Sequence, residues 1–230
     1  MKLKSALSPI VILCTLSPMH ANGVLGESHL TLGYVDITKE YFDTLEQDFY
    51  QVQAIYNQPI GDLENVGFDA TFGINYEHDN VSSPTVDYTV ESYKPMLGLT
   101  AFYKIFDLTK PFIKAQGGWE FWRYEITMWG RRSSSSPPYV IMSDGLEMNA
   151  FCYDISAGAE VEPIKNFDLT ISPYVGLHQT LKNIQNLTYY GGAELAYWIN
   201  ENIALAIEYR YDWSEDINTQ NLGTKLRLHF

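Results

Sequence analysis

The sequence predicts an all-β chain that closes into a single antiparallel barrel of ten strands with its apolar side turned outward. Three observations predict it. Apolar and polar residues alternate with a period of two almost without pause, which places them on opposite faces of strands. Most of the alternating segments run nine to sixteen residues, longer than the usual soluble strand of ~5–6 residues and enough for the ~9–11 that cross a bilayer at a tilt. The connections between them alternate short and long, as when hairpins turn tightly on one side of a membrane and loosely on the other.

Residues 1–23 stand apart from that pattern. Lys2 and Lys4 precede an apolar run from Ala6 to Leu16, and the small residues Ala21 and Gly23 follow. That order is the one of a secretory signal peptide, cleaved after Ala21 or Gly23. Removing it takes away two lysines and no acid, so the formal net charge moves from −13 to −15. It also removes Cys14 and leaves Cys152 alone, so the barrel domain over 24–230 has no intramolecular disulfide. An acidic chain of this kind has no excess of cations for phosphates, which excludes nucleic acid as a partner. No apolar run beyond the signal reaches eighteen residues, so the expected membrane crossing is by strands and not helices.

The strands are expected near 28–36, 48–60, 65–78, 88–105, 111–124, 148–163, 168–180, 186–199, 202–212 and 220–230. In "VGFDATFGINYE" Phe68, Phe72 and Ile74 share one face, with Asp69, Thr71 and Glu77 on the other. "PFIKAQGGWEF" sets Ile113 and Trp119 against Lys114 and Glu120. "FCYDISAGAEVEP" sets Phe151 and Ile155 against Cys152, Asp154 and Glu160. "IALAIEYRY" sets Leu205 and Ile207 against Glu208 and Arg210. Pro95 and Pro173 fall inside strands, where each removes a ladder donor, so a bulge or gap is expected at both. Short turns are expected at 61–65, 106–110, 164–167 and 200–201, and longer connections at 37–47, 79–87, 125–147, 181–185 and 213–219. This layout puts both termini on the periplasmic side. Aromatic residues then form two girdles, with Tyr76, Tyr93, Trp119 and Tyr209 at the outer boundary and Phe68, Tyr103, Tyr197 and Phe230 at the inner one, around aliphatic residues such as Leu97, Ile113 and Val175.

The signal peptide, the "SPYVGL"-type strand and the ending "LRLHF" together resemble the small outer-membrane β-barrel proteins of the Gram-negative envelope, and the resemblance covers the whole mature chain. It implies a porin-like or structural membrane barrel, embedded in outer-membrane lipid and lipopolysaccharide and most simply a monomer. It also implies a biogenesis signal, in which the barrel-assembly machinery reads Phe230, Leu228 and Leu226 on the last strand. The resemblance implies no cofactor.

The inner face collects Asp69, Glu77, Glu120, Asp154, Glu160, Glu162, Glu194 and Glu208 against Lys94, Lys104, Lys114, Arg210, Lys225 and Arg227, with His178 and His229 among them. A lumen of one sign would favour a selective open pore. Mixed signs favour pairing that fills the interior, and ten strands leave little width to fill. The pairs expected are Lys114 with Glu160, Asp154 with His178, and Glu208 with Lys225. The functional expectation is a structural barrel or a narrow, low-conductance passage, with no catalysis and no metal.

Two other readings compete. The first is a rim-active hydrolase of protease type, with His78 as base and Asp79, Asp87 or Asp212 as its carboxylate; His178 with Thr180 lacks the usual nucleophile. The second is a soluble calycin-like barrel that turns its apolar face inward around a ligand. Acidic stretches at Asp36, Glu40, Asp43, Glu46 and Asp48, and at Asp212, Glu215 and Asp216, are expected as a solvated outer rim that divalent cations could bridge to lipopolysaccharide phosphates. Lone Cys152 is expected as a small lumen residue.

Overall fold

The computed structural model describes residues 25–41, 45–82, 86–104, 108–130, 139–164, 168–181, 187–214 and 217–230. The proposed signal peptide over 1–23 lies outside them. Ten strands follow in chain order: β1 His29–Tyr41, β2 Leu45–Leu63, β3 Val66–Ser82, β4 Val86–Tyr103, β5 Thr109–Gly130, β6 Tyr139–Val161, β7 Leu169–Thr180, β8 Leu187–Asn200, β9 Ile203–Trp213 and β10 Ile217–His229. Each pairs antiparallel with its sequence neighbours. The sheet closes where β1 meets β10, from His29 opposite His229 to Tyr41 opposite Ile217. The start of β1 and the end of β10 therefore share one end of the barrel, the near end, where the Phe230 N–H donates to the Ser28 carbonyl at 3.2 Å.

The faces follow the alternation. Leu97 and Val175 point outward and are each 62 % exposed, whereas Asp154 and Glu194 point inward and are each 6 % exposed. A soluble protein does the reverse, because burying charge while exposing aliphatic surface costs free energy twice over in water. This polarity overturns the calycin-like alternative. The outward aliphatic face has to meet something as apolar as itself.

Proline places the interruptions. The β4–β5 ladder breaks between Tyr93 and Met96, at Pro95, and the β6–β7 ladder breaks between Gly158 and Val161, opposite Pro173. Each proline carbonyl oxygen leans onto a glycine of the neighbouring strand. A Cβ on Gly118 would lie 2.1 Å from the Pro95 oxygen, and one on Gly158 would lie 2.4 Å from that of Pro173. Only glycine admits so close an approach.

Several strands run further than the alternation suggests. The stretches 37–47, 79–87 and 125–147, expected as long connections, are largely strand, and β5 and β6 reach 22 and 23 residues. The far ends of β3 to β6 stay paired with one another beyond the rung at which β6 leaves β7, and the polarity inverts there. On the projecting part of β5 the inward residues are Trp122, Tyr124 and Ile126, and the outward, exposed ones are Arg123 and Glu125. The expected boundary was drawn where the outward apolar residues stop. Backbone pairing needs no apolar face, so the ladder continues into the aqueous layer.

Candidate functional site

The inward side chains of ten strands meet around one cavity of about 580 Å³. The bore is narrow, because strands spaced ~4.8 Å apart at a tilt near 40° give a ten-strand barrel a backbone radius of only ~10 Å.

The densest cluster lies on β7 to β10. β8 and β9 pair Glu194 directly with Glu208, an arrangement that needs a cation. Lys225 of β10 supplies it, with Nζ 2.8 Å from Glu194 Oε2 and 2.8 Å from Glu208 Oε2. Arg227, two residues on and therefore on the same face, donates from Nη2 to Glu194 Oε1. The Tyr174 hydroxyl donates to Glu208 Oε1 at 2.5 Å. A second cluster sits toward the far end. Arg210 forks onto Asp212 at 2.5 and 3.1 Å and lays its guanidinium 3.8 Å over the Tyr190 ring, while the Tyr190 hydroxyl donates to Asp154 at 2.7 Å. On β1 to β3, Lys39 reaches Glu77 at 2.6 Å with its ammonium 3.8 Å above the Phe49 ring. Of the acids still unaccounted for, Glu120 accepts from the Ser92 hydroxyl at 3.4 Å, at the level of Lys94.

At the near end, the segment before β1 leaves the β1–β10 seam and crosses toward β3, β4 and β5. Gly26 donates its N–H to Asp69 Oδ2 at 2.9 Å and lies against the Phe102 ring, and the Leu25 carbonyl accepts from Lys110 Nζ at 3.0 Å. Lys110 also faces Glu160 at 3.6 Å. Gly26 has φ +86°, a conformation that glycine adopts without strain. The crossing places backbone under the mouth.

The expected lumen residues Asp69, Glu77, Lys94, Lys114, Glu120, Asp154, Glu160, His178, Glu194, Glu208, Arg210, Lys225 and Arg227 all line the cavity. Lys104 and Glu162 do not. Both follow the last residue of their strands, and Lys104 instead meets Asp62 at 3.2 Å on the exposed near-end rim. Glu208 with Lys225 is an ion pair as expected, and Asp154 stands opposite His178 in the ladder. Lys114 with Glu160 is corrected: the β5–β6 register sets Lys114 opposite Ser156 and Lys110 opposite Glu160. Asp212, expected on the solvated rim, is an inward residue held by Arg210. Glu40, Asp43, Glu46, Glu215 and Asp216 have side chains outside the described residues.

Lys39, Lys110, Tyr174 and Tyr190 escaped sequence reasoning. The last three share the parity of recognised inward residues on their own strands. Lys39 was missed because it lies in the stretch 37–47 expected as a connection, into which β1 in fact extends.

The hydrolase constellation does not assemble. His78 points outward, where it meets Tyr76 at 3.3 Å and Glu91 at 3.6 Å, whereas its neighbour Asp79 is buried on the inner side. Asp87 accepts from the Trp129 indole at 2.8 Å on the projecting sheet, and Asp212 is committed to Arg210. Consecutive residues on a strand cannot form a base–carboxylate couple, because their side chains diverge. Thr180 and His178 approach at 3.5 Å inside the lumen. Cys152 is buried and donates its thiol to the Gly118 carbonyl at 3.4 Å. Among the described residues no group of three or more His, Cys, Asp or Glu is placed to hold a metal ion.

No protein-family model matches the chain, and no curated protein matches it in sequence. Solved structures do match in fold. The transport unit of the autotransporter AIDA-I from Escherichia coli superposes with a TM-score of 0.57 over 92% of this chain and 93% of that one, at 8% identity. The translocator domain of the autotransporter NalP from Neisseria meningitidis gives 0.48 over 91% and 90%, at 10% identity. The attachment invasion locus protein Ail of Yersinia pestis gives 0.41 over 89% and 99%, at 11% identity. At 8% identity the likeness to the AIDA-I unit is one of fold, and the apolar exterior around a charged interior agrees with it. The chain is a closed, antiparallel ten-strand β-barrel of the outer-membrane kind.

Proposed function

We propose that the protein is a monomeric barrel of the outer membrane, exported by the signal peptide over 1–23, with its near end in the periplasm, and that its lumen is held almost shut as a structural element or a low-conductance passage. Lipid and lipopolysaccharide surround it, and the barrel-assembly machinery reads Leu226, Leu228 and Phe230 during insertion. The observation that carries the reading is Lys225, tied at 2.8 Å to carboxylates on two neighbouring strands with Arg227 closing one side and Tyr174 the other. Side chains so committed occupy the bore. The cavity they leave, about 580 Å³, corresponds to roughly 20 waters at ~30 Å³ each, and the Leu25–Gly26 crossing narrows the near mouth further. Catalysis is no part of the proposal, since the His78–Asp79 couple is split between two faces.

Planar-bilayer recording tests it. Purified protein should give small, infrequent current steps, and Glu208→Gln should alter them by loosening one arm of the Lys225 bridge. Large steady steps like those of an open porin, unchanged by Glu208→Gln, would overturn the closed-lumen reading.

A further inference from the structure

Among the described residues β6 has a neighbour on both sides only from Phe151 onward. Its register with β7 begins at Cys152 opposite Thr180, and the Leu181 N–H donates to the Phe151 carbonyl at 2.8 Å. With β5 it pairs all the way back to Tyr139. Between Val140 and Ala150, then, one edge of β6 meets no strand among the described residues, over ~35 Å at ~3.4 Å per residue.

The direction of the free groups can be derived. In an antiparallel strand the N–H and C=O of one residue point to the same side, and alternate residues share that side. The Phe151 carbonyl points toward β7, so Asn149, Glu147, Gly145 and Ser143 turn their backbone groups to the open edge. Gly145 agrees: its N–H is taken at 2.9 Å by the carboxylate of Asp144 and by no strand among the described residues. Natural sheets blunt long edges with proline, lysine or bulges because an open edge is a template for another strand. This edge has no proline and no cation. Its charges are Asp144 and Glu147 alone, and its apolar Leu146 is 56 % exposed.

We propose that the open edge of β6 from Ser143 to Asn149 docks an extended segment of a partner protein, which adds a strand whose apolar residues lie beside Leu146 and Met148 on one face and whose Lys or Arg side chains lie beside Glu147 on the other. Strand addition takes its affinity from the backbone ladder and its specificity from alternate side chains. Charge selects the occupant. Opposite charges across a ladder are favourable and like charges are not, so Glu147 favours a basic residue beside it and disfavours a second copy in the register that sets Glu147 against Glu147.

The test uses the folded full-length barrel in lipid nanodiscs and fluorescein-labelled nine-residue peptides, one alternating valine with lysine and one alternating valine with glutamate, read by fluorescence anisotropy. The lysine peptide should bind saturably and at least tenfold more tightly than the glutamate peptide. Glu147→Pro removes an N–H that points only to the open edge, so β5 pairing and heat-modifiable gel mobility stay intact while peptide binding weakens at least tenfold. Glu147→Lys keeps the backbone donor and should reverse the preference between the two peptides. The proposal falls if neither peptide binds, if both bind alike, if Glu147→Pro binds as wild type does, or if the barrel self-associates in nanodisc-free detergent through an edge that Glu147→Pro abolishes. Conductance is not read in this experiment, so its failure leaves the closed-lumen reading untouched.

Discussion

Replacing Lys225 with methionine keeps the length of the side chain and removes the charge that two carboxylates share. Lys225 is 11 % exposed, and its partners Glu194 and Glu208 are 7 % and 20 % exposed. Removing one partner of a buried pair costs about 3–5 kcal/mol, because the other charge stays buried without compensation. Here each acid keeps one donor, Arg227 for Glu194 and Tyr174 for Glu208. The loss should therefore fall at the lower bound, about 3 kcal/mol. With a urea dependence of ~2–3 kcal/mol per molar, the unfolding midpoint drops by ~1–1.5 M. The pair lies away from bulk solvent, so the drop should persist at raised salt, where an exposed pair would be screened within a Debye length of ~10 Å or less. Adding Glu208→Gln removes the one acid of the pair left without a cation and should restore at least half of the loss. The assay is urea unfolding of the lipid-reconstituted barrel, followed by tryptophan fluorescence and by heat-modifiable gel mobility. A midpoint within about 0.2 M of wild type, or a loss that salt abolishes, would mean that the lumen is wet at this level and that the bridge holds nothing.

Two further substitutions probe the outer face. Leu205 points outward near the start of β9, opposite Leu226 and Tyr197; Leu205→Arg should destabilise the folded form by ~1–2 kcal/mol, between the ~2–4 kcal/mol of arginine at the bilayer midplane and the ~0–1 kcal/mol near an interface, seen as a reduced folded fraction in titrated urea, and a silent mutation there would contradict lipid contact. Deleting Phe230, which is 80 % exposed at the end of the last strand, should lower the yield of heat-modifiable barrel in outer-membrane fractions and leave proteolysed material in the periplasm; an unchanged yield would remove this residue from the assembly signal.

The ten strands, their order and their two faces were legible in the sequence, because a period of two is visible in any stretch such as "FCYDISAGAEVEP" and requires no knowledge of neighbours. The prolines were legible too, since a missing N–H is a local fact. Register was not. Sliding β5 against β6 by four residues exchanges Lys110 for Lys114 opposite Glu160 and leaves every side chain on the face it had, so no alternation pattern can tell the two apart. Closure of the barrel decides between them, since each strand must fit two neighbours at once. The same holds for Asp212, whose inward parity gains meaning only once Arg210 and Asn221 converge on it. Where the bilayer ends, the alternation reverses its sense while the ladder continues. The sequence therefore determined what faces what, and the closed sheet alone decided how far each strand runs, which charges meet, and that one edge of β6 meets no strand among the described residues.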